Sequence, residues 1–367
     1  MREKVAVVLF NLGGPDKPAS IRPFLVNLFK DPAILRVPFF VRPLLARVIA
    51  YARVKAATAN YAILGGKSPL LELTQAQGRA LEEALEALSP GMEARCFVAM
   101  RYWHPFSDAA ARAVRDWGPD RVLLLPLYPQ FSTTTTGSSL LAWRDAAARA
   151  GLVAPTTALC CYYADTGFAQ ATAATVRQAY EDACRKGTAP RVLFSAHGLP
   201  EVIVKSGDPY QHQVERSVAV VVRAMDVPEL DWLVCYQSRA TPQKWLGPST
   251  DDEIKRAGAD GVPLLVVPIA FVSEHSETLV ELDVEYRELA HEAGVPGYYR
   301  VPAQNSDAGF IEALAGIART ALARGPGLCS YAGKRTCPRQ FGDCPHARAG
   351  VGAPEAAAEP APAEMAA

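Results

Sequence analysis

Short apolar runs recur along the chain between longer amphipathic ones, and this alternation predicts most of the architecture. The apolar runs fall at residues 5–10, 95–100, 121–127, 156–163, 191–195, 232–236 and 264–270. Each has strand length and ends on turn-forming or polar residues. Alanine-rich stretches with helical spacing, such as 73–88 and 109–117, lie between several of them. Continuous apolar strands alternating with helices predict parallel sheets covered on both faces, a doubly wound α/β fold. The pattern also repeats internally. Residues 123–132 and 265–273 each read as strand, proline, aromatic residue, serine and helix start. That echo predicts two similar domains whose equivalent strands end at a shared cleft. The expected division is 1–165, 166–326, a cysteine-rich extension at 327–347, and a tail at 348–367. The tail is almost wholly Ala, Pro, Gly and Glu, so it is expected to be disordered.

Polar residues placed at strand ends carry the chemistry. The run at 263–270 leads into Phe271-Val-Ser-Glu-His-Ser-Glu-Thr-Leu-Val-Glu-Leu-Asp-Val-Glu-Tyr286. Ser273 is the expected cap of a helix opening there. Glu274, Glu277, Glu281 and Glu285 follow at i, i+3, i+7 and i+11, which sets four carboxylates along one α-helical face. His275 stands at its start. Such a row can hold a divalent cation, relay protons, or simply meet solvent. Its place at the carboxyl end of a strand favours function, because open α/β sheets bind ligands there. A second strand, at 190–196, stops at His197, whose neighbours Gly198 and Pro200 imply a fixed backbone that presents the imidazole. His197 and Glu277 supply a nitrogen and an oxygen as ligand or base. Gly13-Gly14-Pro15 follows the first strand but is not G-x-G-x-x-G, which argues against dinucleotide binding.

Ser195-Ala-His-Gly-Leu-Pro200 and the segment at 273–286 together resemble the ferrochelatase family. Further stretches agree in chain order: Phe10-Asn-Leu-Gly-Gly-Pro15, Gly65-Gly-Lys-Ser-Pro69, Arg101-Tyr-Trp-His-Pro105, Tyr128-Pro-Gln-Phe-Ser132, Thr136-Gly-Ser-Ser139 and Trp245-Leu-Gly-Pro248. The resemblance spans about residues 5–345. It implies two Rossmann-like domains and insertion of Fe²⁺ into protoporphyrin IX or coproporphyrin III, with release of two protons, to form haem. It maps His197 and Glu277 onto the central pair. His197 is then the proton acceptor and transient metal ligand, Glu277 handles metal or protons, and Glu281 is next in line. Glu274 and His275 become neighbours of the site. Ring distortion must come from binding, and a base near neutral pKa favours histidine. Arg101 and Tyr102 match the cation and hydroxyl that propionates require. Trp245 is placed to press on the macrocycle, and Gln237 and Ser238 are further cleft candidates. Leu35 stands where many members carry a methionine, so it offers the ring apolar contact only. The apolar, arginine-dotted stretch at 37–51 matches a lip that receives porphyrin and rests on a bilayer.

Composition narrows the alternatives. Basic and acidic residues balance at 38 each, so no general field draws the chain to nucleic acid. No amino-terminal signal precedes the first strand, and no apolar run reaches the roughly 20 residues of a spanning helix. The expected location is cytoplasmic, with peripheral contact at the inner face of a membrane as a further option. A haem or porphyrin carrier is the alternative of another class, but a carrier has no need of the acidic row. A cobalt chelatase of related fold is the other, and the Gly-Gly-Pro and Trp-Leu-Gly-Pro motifs argue against it.

The eight cysteines raise a separate question, because structural disulfides are rare in the cytoplasm. Cys329, Cys337 and Cys344 crowd the extension beside Lys334, Arg335 and Arg339. Thiolates among cations suit an anionic iron–sulfur cluster. Structural zinc fits less well, because the gaps are longer than in its usual knuckles; free thiols are the third option. Some ferrochelatases carry a [2Fe–2S] cluster with three ligands from such an extension and one from the stretch matching 132–137. This chain has no cysteine there. Cys160 or Cys161 is the nearest substitute, and strand alternation predicts that only one of them faces the cluster.

Overall fold

The run at 5–10 forms the middle of β1 (Glu3–Asn11), and all six of its side chains are fully buried in the computed structural model. The structure describes residues 2–238 and 243–348. β1 is central to a parallel sheet with β2 (Met92–Met100), β3 (Arg121–Pro126), β4 (Thr156–Leu159) and β9 (Gly327–Cys329), in the order β2-β1-β3-β4-β9. Alternate side chains of β1 enter two different cores. Val5, Val7 and Leu9 pack with Leu81 and Leu85 of helix Leu70–Leu88 and with Ile311 and Leu314 of helix Ala308–Ala323. Ala6, Val8 and Phe10 pack with Val114 of helix Ser107–Trp117 and Trp143 of helix Ser138–Ala150. Each buried Val or Leu contributes about 1.5–3 kcal/mol. A charge at Val7 would therefore break the first sheet from within.

A second parallel sheet holds β5 (Arg191–His197), β6 (Trp232–Gln237), β7 (Leu264–Pro268) and β8 (Tyr298–Arg300), in the order β6-β5-β7-β8. The first four strands of each sheet thus follow one order, which is the physical form of the internal echo. The echoed strands, β3 and β7, hold equivalent places, and a π-helix follows each: Thr133–Gly137 after β3 and Glu277–Glu285 after β7. Ser132 accepts from the Thr134 amide and so caps the first.

Several boundaries differ from the sequence reading. The run at 156–163 is a strand only as far as Leu159. Cys160 continues by donating its amide to the Cys329 carbonyl, and Cys161 to Tyr163 form a buried irregular segment. β8 and β9 have three residues each, too few for periodicity to register. The chain also returns late to its beginning. Helix Ala308–Ala323 covers the first sheet, and β9 extends it beside β4. From residue 349 the tail lies outside the described residues. Among the described residues, no helix is long and apolar enough to cross a membrane.

Candidate active site

His197 is the last residue of β5, with its side chain one-third exposed. Its setting explains Gly198. A Cβ at Gly198 would stand 2.9 Å from the Gln237 carbonyl oxygen and 3.2 Å from the Trp245 ring, so only glycine fits between β5 and the loop after β6. The Gly198 carbonyl oxygen lies 2.7 Å from His197 Nδ1. A carbonyl only accepts, so Nδ1 carries the proton and Nε2 presents a lone pair. Nε2 faces Glu277 Oε1 at 3.6 Å. The Trp245 ring lies edge-on to the imidazole, 6.4 Å between centroids. Tyr210 donates its hydroxyl to the His197 carbonyl at 3.0 Å.

The acidic segment does not form the row that α-helical spacing predicts. The helix from Glu277 to Glu285 is a π-helix with Ser276 before it. Glu277 and Glu281 lie close enough to feel each other's charge, whereas Glu285 is exposed and accepts from Asn60. Ser273 does not cap it; its hydroxyl donates to Gln77 of the first domain. Glu274 lies before the helix and is drawn elsewhere. Its Oε1 accepts from Arg300 Nη1 at 2.6 Å and from the Ala303 amide at 2.9 Å. His275 is buried, and its Nε2 meets Glu277 Oε2 at 3.2 Å.

Two neighbouring carboxyls are pushed in opposite directions. Burial raises the Glu277 pKa, but the His197 and His275 imidazoles outweigh it and bring the carboxyl down to about 2. Glu281 is raised, first by burial and then by the charge of Glu277. Ser238 Oγ at 2.7 Å and Gln237 Nε2 at 3.0 Å both donate to Glu281 Oε2. Ser238 reaches it from a left-handed turn at φ +63. Tyr286 lies 3.1 Å from Glu281 Oε1 and 3.4 Å from Asp251 Oδ2. The site thus pairs a carboxylate that stays ionised with a carboxyl able to carry a proton, an arrangement suited to proton transfer. Gln237 is buried against Ser195, Glu277 and Glu281, where it donates to the Glu277 main-chain carbonyl and to the Glu281 carboxyl.

On the first-domain side, Arg101 is partly committed. Its Nη2 lies 2.8 Å from Asp31 Oδ2, and its Nε donates to Ser138 Oγ at 2.6 Å. Tyr102 is buried and donates to Asp31 at 2.8 Å. It therefore supports Arg101 and does not open onto the cleft. Leu35 is half-buried in the loop that Asp31 begins, four and five residues before Phe39 and Phe40, which are 79% and 71% exposed. Leu44 and Tyr51 of helix Arg42–Ile63 extend that exposed apolar face. Its far end reaches the acidic helix: Asn60 donates to Glu285 at 3.4 Å, and Tyr61 meets Ser276 at 3.5 Å. Tyr286 ends the motif at 273–286 without having been singled out, and Asp31, Tyr61 and Asp251 carry no motif. Only their positions in the folded chain bring them to the site.

The extension places its cysteines against the body of the chain. Cys160, Cys161, Cys329, Cys337 and Cys344 are buried. The Cys160 and Cys161 sulfurs lie 3.4 Å apart. They share one side because β4 has already ended, so strand alternation does not apply. A contact with the Cys337 thiol brings Cys344 down to about 6, and a contact with Cys161 brings Cys160 down to about 7. In each pair the first thiolate gains a donor and holds its partner's proton on. Burial and then the neighbouring Cys160 push the Cys329 thiol up to about 11. Gln213 donates to Cys337 at 3.1 Å, and buried His346 lies beside Cys160 and Cys344. Among the described residues, no three His, Cys, Asp or Glu side chains converge on one metal ion; the thiols gather as two pairs.

The ferrochelatase family model matches residues 4–322. Ferrochelatase of Caulobacter vibrioides is 53% identical over 345 residues, 94% of this chain and 98% of that protein. Ferrochelatase of Phenylobacterium zucineum is 54% identical over 346 residues, 92% of this chain and 99% of that protein. The structure of SirB from Bacillus subtilis with Fe³⁺ matches at TM-score 0.52 and 14% identity, covering 88% of this chain and 96% of that one, a likeness of fold. The chain belongs to the ferrochelatase family, the lyases that insert ferrous iron into a porphyrin to form haem.

Proposed function

We propose that insertion takes place at His197, with Glu277 and Glu281 behind it. The observation that carries this is the imidazole tautomer: Nδ1–H is held by Gly198, which leaves the Nε2 lone pair facing Glu277. Nε2 accepts a pyrrole proton and is a passing ligand of Fe²⁺. Glu277 stays ionised, so it stabilises the imidazolium and attracts the cation. Glu281 takes up a proton, and Tyr286 with Asp251 leads it away from the ring. Nitrogen and carboxylate donors hold first-row ions without strong selection, so Zn²⁺ is also inserted. Trp245 and Leu35 contact the macrocycle, and Arg101, fixed by Asp31 and Tyr102, receives a propionate. Gln237 and Ser238 orient Glu281, and His275 orients Glu277. The test is zinc insertion followed by porphyrin fluorescence. Replacing His197 by Ala should lower turnover at least ~100-fold, within the usual worth of a general base, while porphyrin binding persists. A carrier would bind porphyrin without turnover even in the wild type.

We also propose that the cysteine chamber holds a [2Fe–2S] cluster. The paired thiols suit it: two irons require four thiolates, two on each. Cys337 and Cys344 supply one pair. The other comes from Cys160, Cys161 and Cys329, and the 3.4 Å sulfur contact favours the first two. Such a cluster would supply a one-electron centre, and its four thiolates would tie the extension to the body. The exposed apolar lip is proposed to admit porphyrin from the cytoplasmic surface of a bilayer. The division at residue 165 is kept as a proposal, with residues 308–329 closing the first sheet.

A further inference from the structure

Three parts of the chain meet at the first turn of helix Tyr210–Met225. Gln213 is almost wholly buried there. Its Oε1 accepts the Phe131 amide of the first domain at 2.7 Å, and its Nε2 donates to Cys337 Sγ of the extension at 3.1 Å. The first bond fixes the second. A backbone N–H must find an acceptor, so the oxygen faces Phe131 and the amino group faces the sulfur. Asp208, also buried, accepts from Ser132 Oγ, the Thr133 amide and hydroxyl, and the Tyr210 amide. The Asp343 amide donates to the Gly207 carbonyl at 3.1 Å. Gly207 has φ +112, and a Cβ on it would stand 3.1 Å from the Gly342 nitrogen. The extension therefore grips this turn at two points. The turn in turn holds the carbonyl of His197 through Tyr210.

We propose that Gln213 is a positioning residue for metal insertion, carrying the state of the Cys337 sulfur through this turn to His197. The sulfur's metal-bound state rests on the cluster reading above; the hydrogen bonds do not. A metal-bound thiolate accepts a stronger hydrogen bond than a thiol, so it holds Gln213 and the turn more firmly. Losing that bond frees the turn, and small displacements of a reacting group are expensive in rate.

Two full-length variants separate the bonds of Gln213. Gln213→Glu keeps an acceptor for Phe131 and turns a carboxylate oxygen toward the sulfur. Gln213→Met keeps the volume and removes both bonds. The readouts on anaerobically purified protein are the thermal transition, the visible spectrum, the reduction potential of the coloured centre, and kcat and KM for zinc insertion. Both variants should fold. Gln213→Glu should shift the potential downward, and both should lose kcat about tenfold with porphyrin KM within about twofold. A Gln213→Glu protein with wild-type potential, spectrum and kcat would overturn the proposal. A colourless wild type refutes the cluster reading separately. The proposal is then decided by the kcat of Gln213→Glu and by alkylation of Cys337 with iodoacetamide, which should be faster in both variants; no change in either measurement overturns it.

Discussion

Asp31 joins the lip to the first-domain wall, and replacing it with Asn tests that junction. Its side chain is 2% exposed. Oδ2 accepts from Arg101, Tyr102 and Ser138, and Oδ1 accepts the Ala33 amide at 2.8 Å. An amide cannot serve all four. With its oxygen toward the three donors, its amino group meets the Ala33 N–H, and the reverse rotation is worse. At 2.8 Å and an effective dielectric of about 20, the ionic attraction is about 6 kcal/mol, much of it offset by desolvation. Breaking a buried pair destabilises by about 3–5 kcal/mol. Arg101 is 24% exposed, which favours the lower end, about 3 kcal/mol. The orphaned Ala33 amide adds about 1 kcal/mol. The sum, about 4 kcal/mol, should lower Tm by roughly 8–12 °C at about 2–3 °C per kcal/mol. Because Ala33 lies in the loop bearing Leu35, porphyrin KM should also rise more than kcat falls. Circular dichroism melting and steady-state zinc insertion measure both. A Tm within 2 °C of wild type and an unchanged KM would refute the reasoning.

Two further substitutions follow from the carboxyl pair. Glu281→Gln should slow insertion yet leave Tm at or above wild type at pH 8. The raised Glu281 pKa means that the folded chain binds the proton more tightly than the unfolded one, so this carboxyl weakens the fold as pH rises above its ordinary 4.5. Melts at pH 4 and pH 8 check the sign: the gain must be larger at pH 8. Glu277→Gln keeps the shape and loses the charge, so insertion should fall about tenfold or more with porphyrin KM nearly unchanged. Normal turnover would show that the charge beside His197 is idle. The depressed Glu277 pKa adds stability that is complete above about 4.5 and lost as pH falls toward 2, which acid titration of wild type and variant compares.

The two sheets were legible because their central strands are continuous apolar runs. His197 and Glu277 were each legible as candidates from their places after β5 and β7, but only the family resemblance paired them, because no local pattern joins residues 80 positions apart. The π-helix was not legible, since its sequence also satisfies α-helical spacing and its identity depends on packing against the second sheet. Tyr102 looked like a cleft residue because it adjoins Arg101, yet one step in sequence turns it into the core beneath. The Cys160–Cys161 contact was hidden because the apolar run continues past the end of β4. The grip of the extension on Gly207 and Gln213 joins residues more than 120 positions apart, and no local pattern encodes that.

Glu274 separates the two ways of reading the acidic row. Spacing makes it the first of four functional carboxylates, whereas the fold gives it to Arg300. Both side chains are 10% exposed, and Arg300 is held on its other side by Asp283 at 2.8 and 2.6 Å. Glu274→Gln keeps an acceptor for Arg300 and Ala303, so it loses mainly the charge in the bond. That change is worth about 1–2 kcal/mol, because Asp283 still neutralises the guanidinium. The expected result is a Tm lower by roughly 2–6 °C, with kcat within about twofold, since the ring site is left to Glu277 and Glu281. The opposite result, a tenfold loss of kcat at unchanged Tm, would return Glu274 to the reacting row. It would also mean that the ion pair with Arg300 opens during turnover, and Arg300→Met should then reproduce the loss.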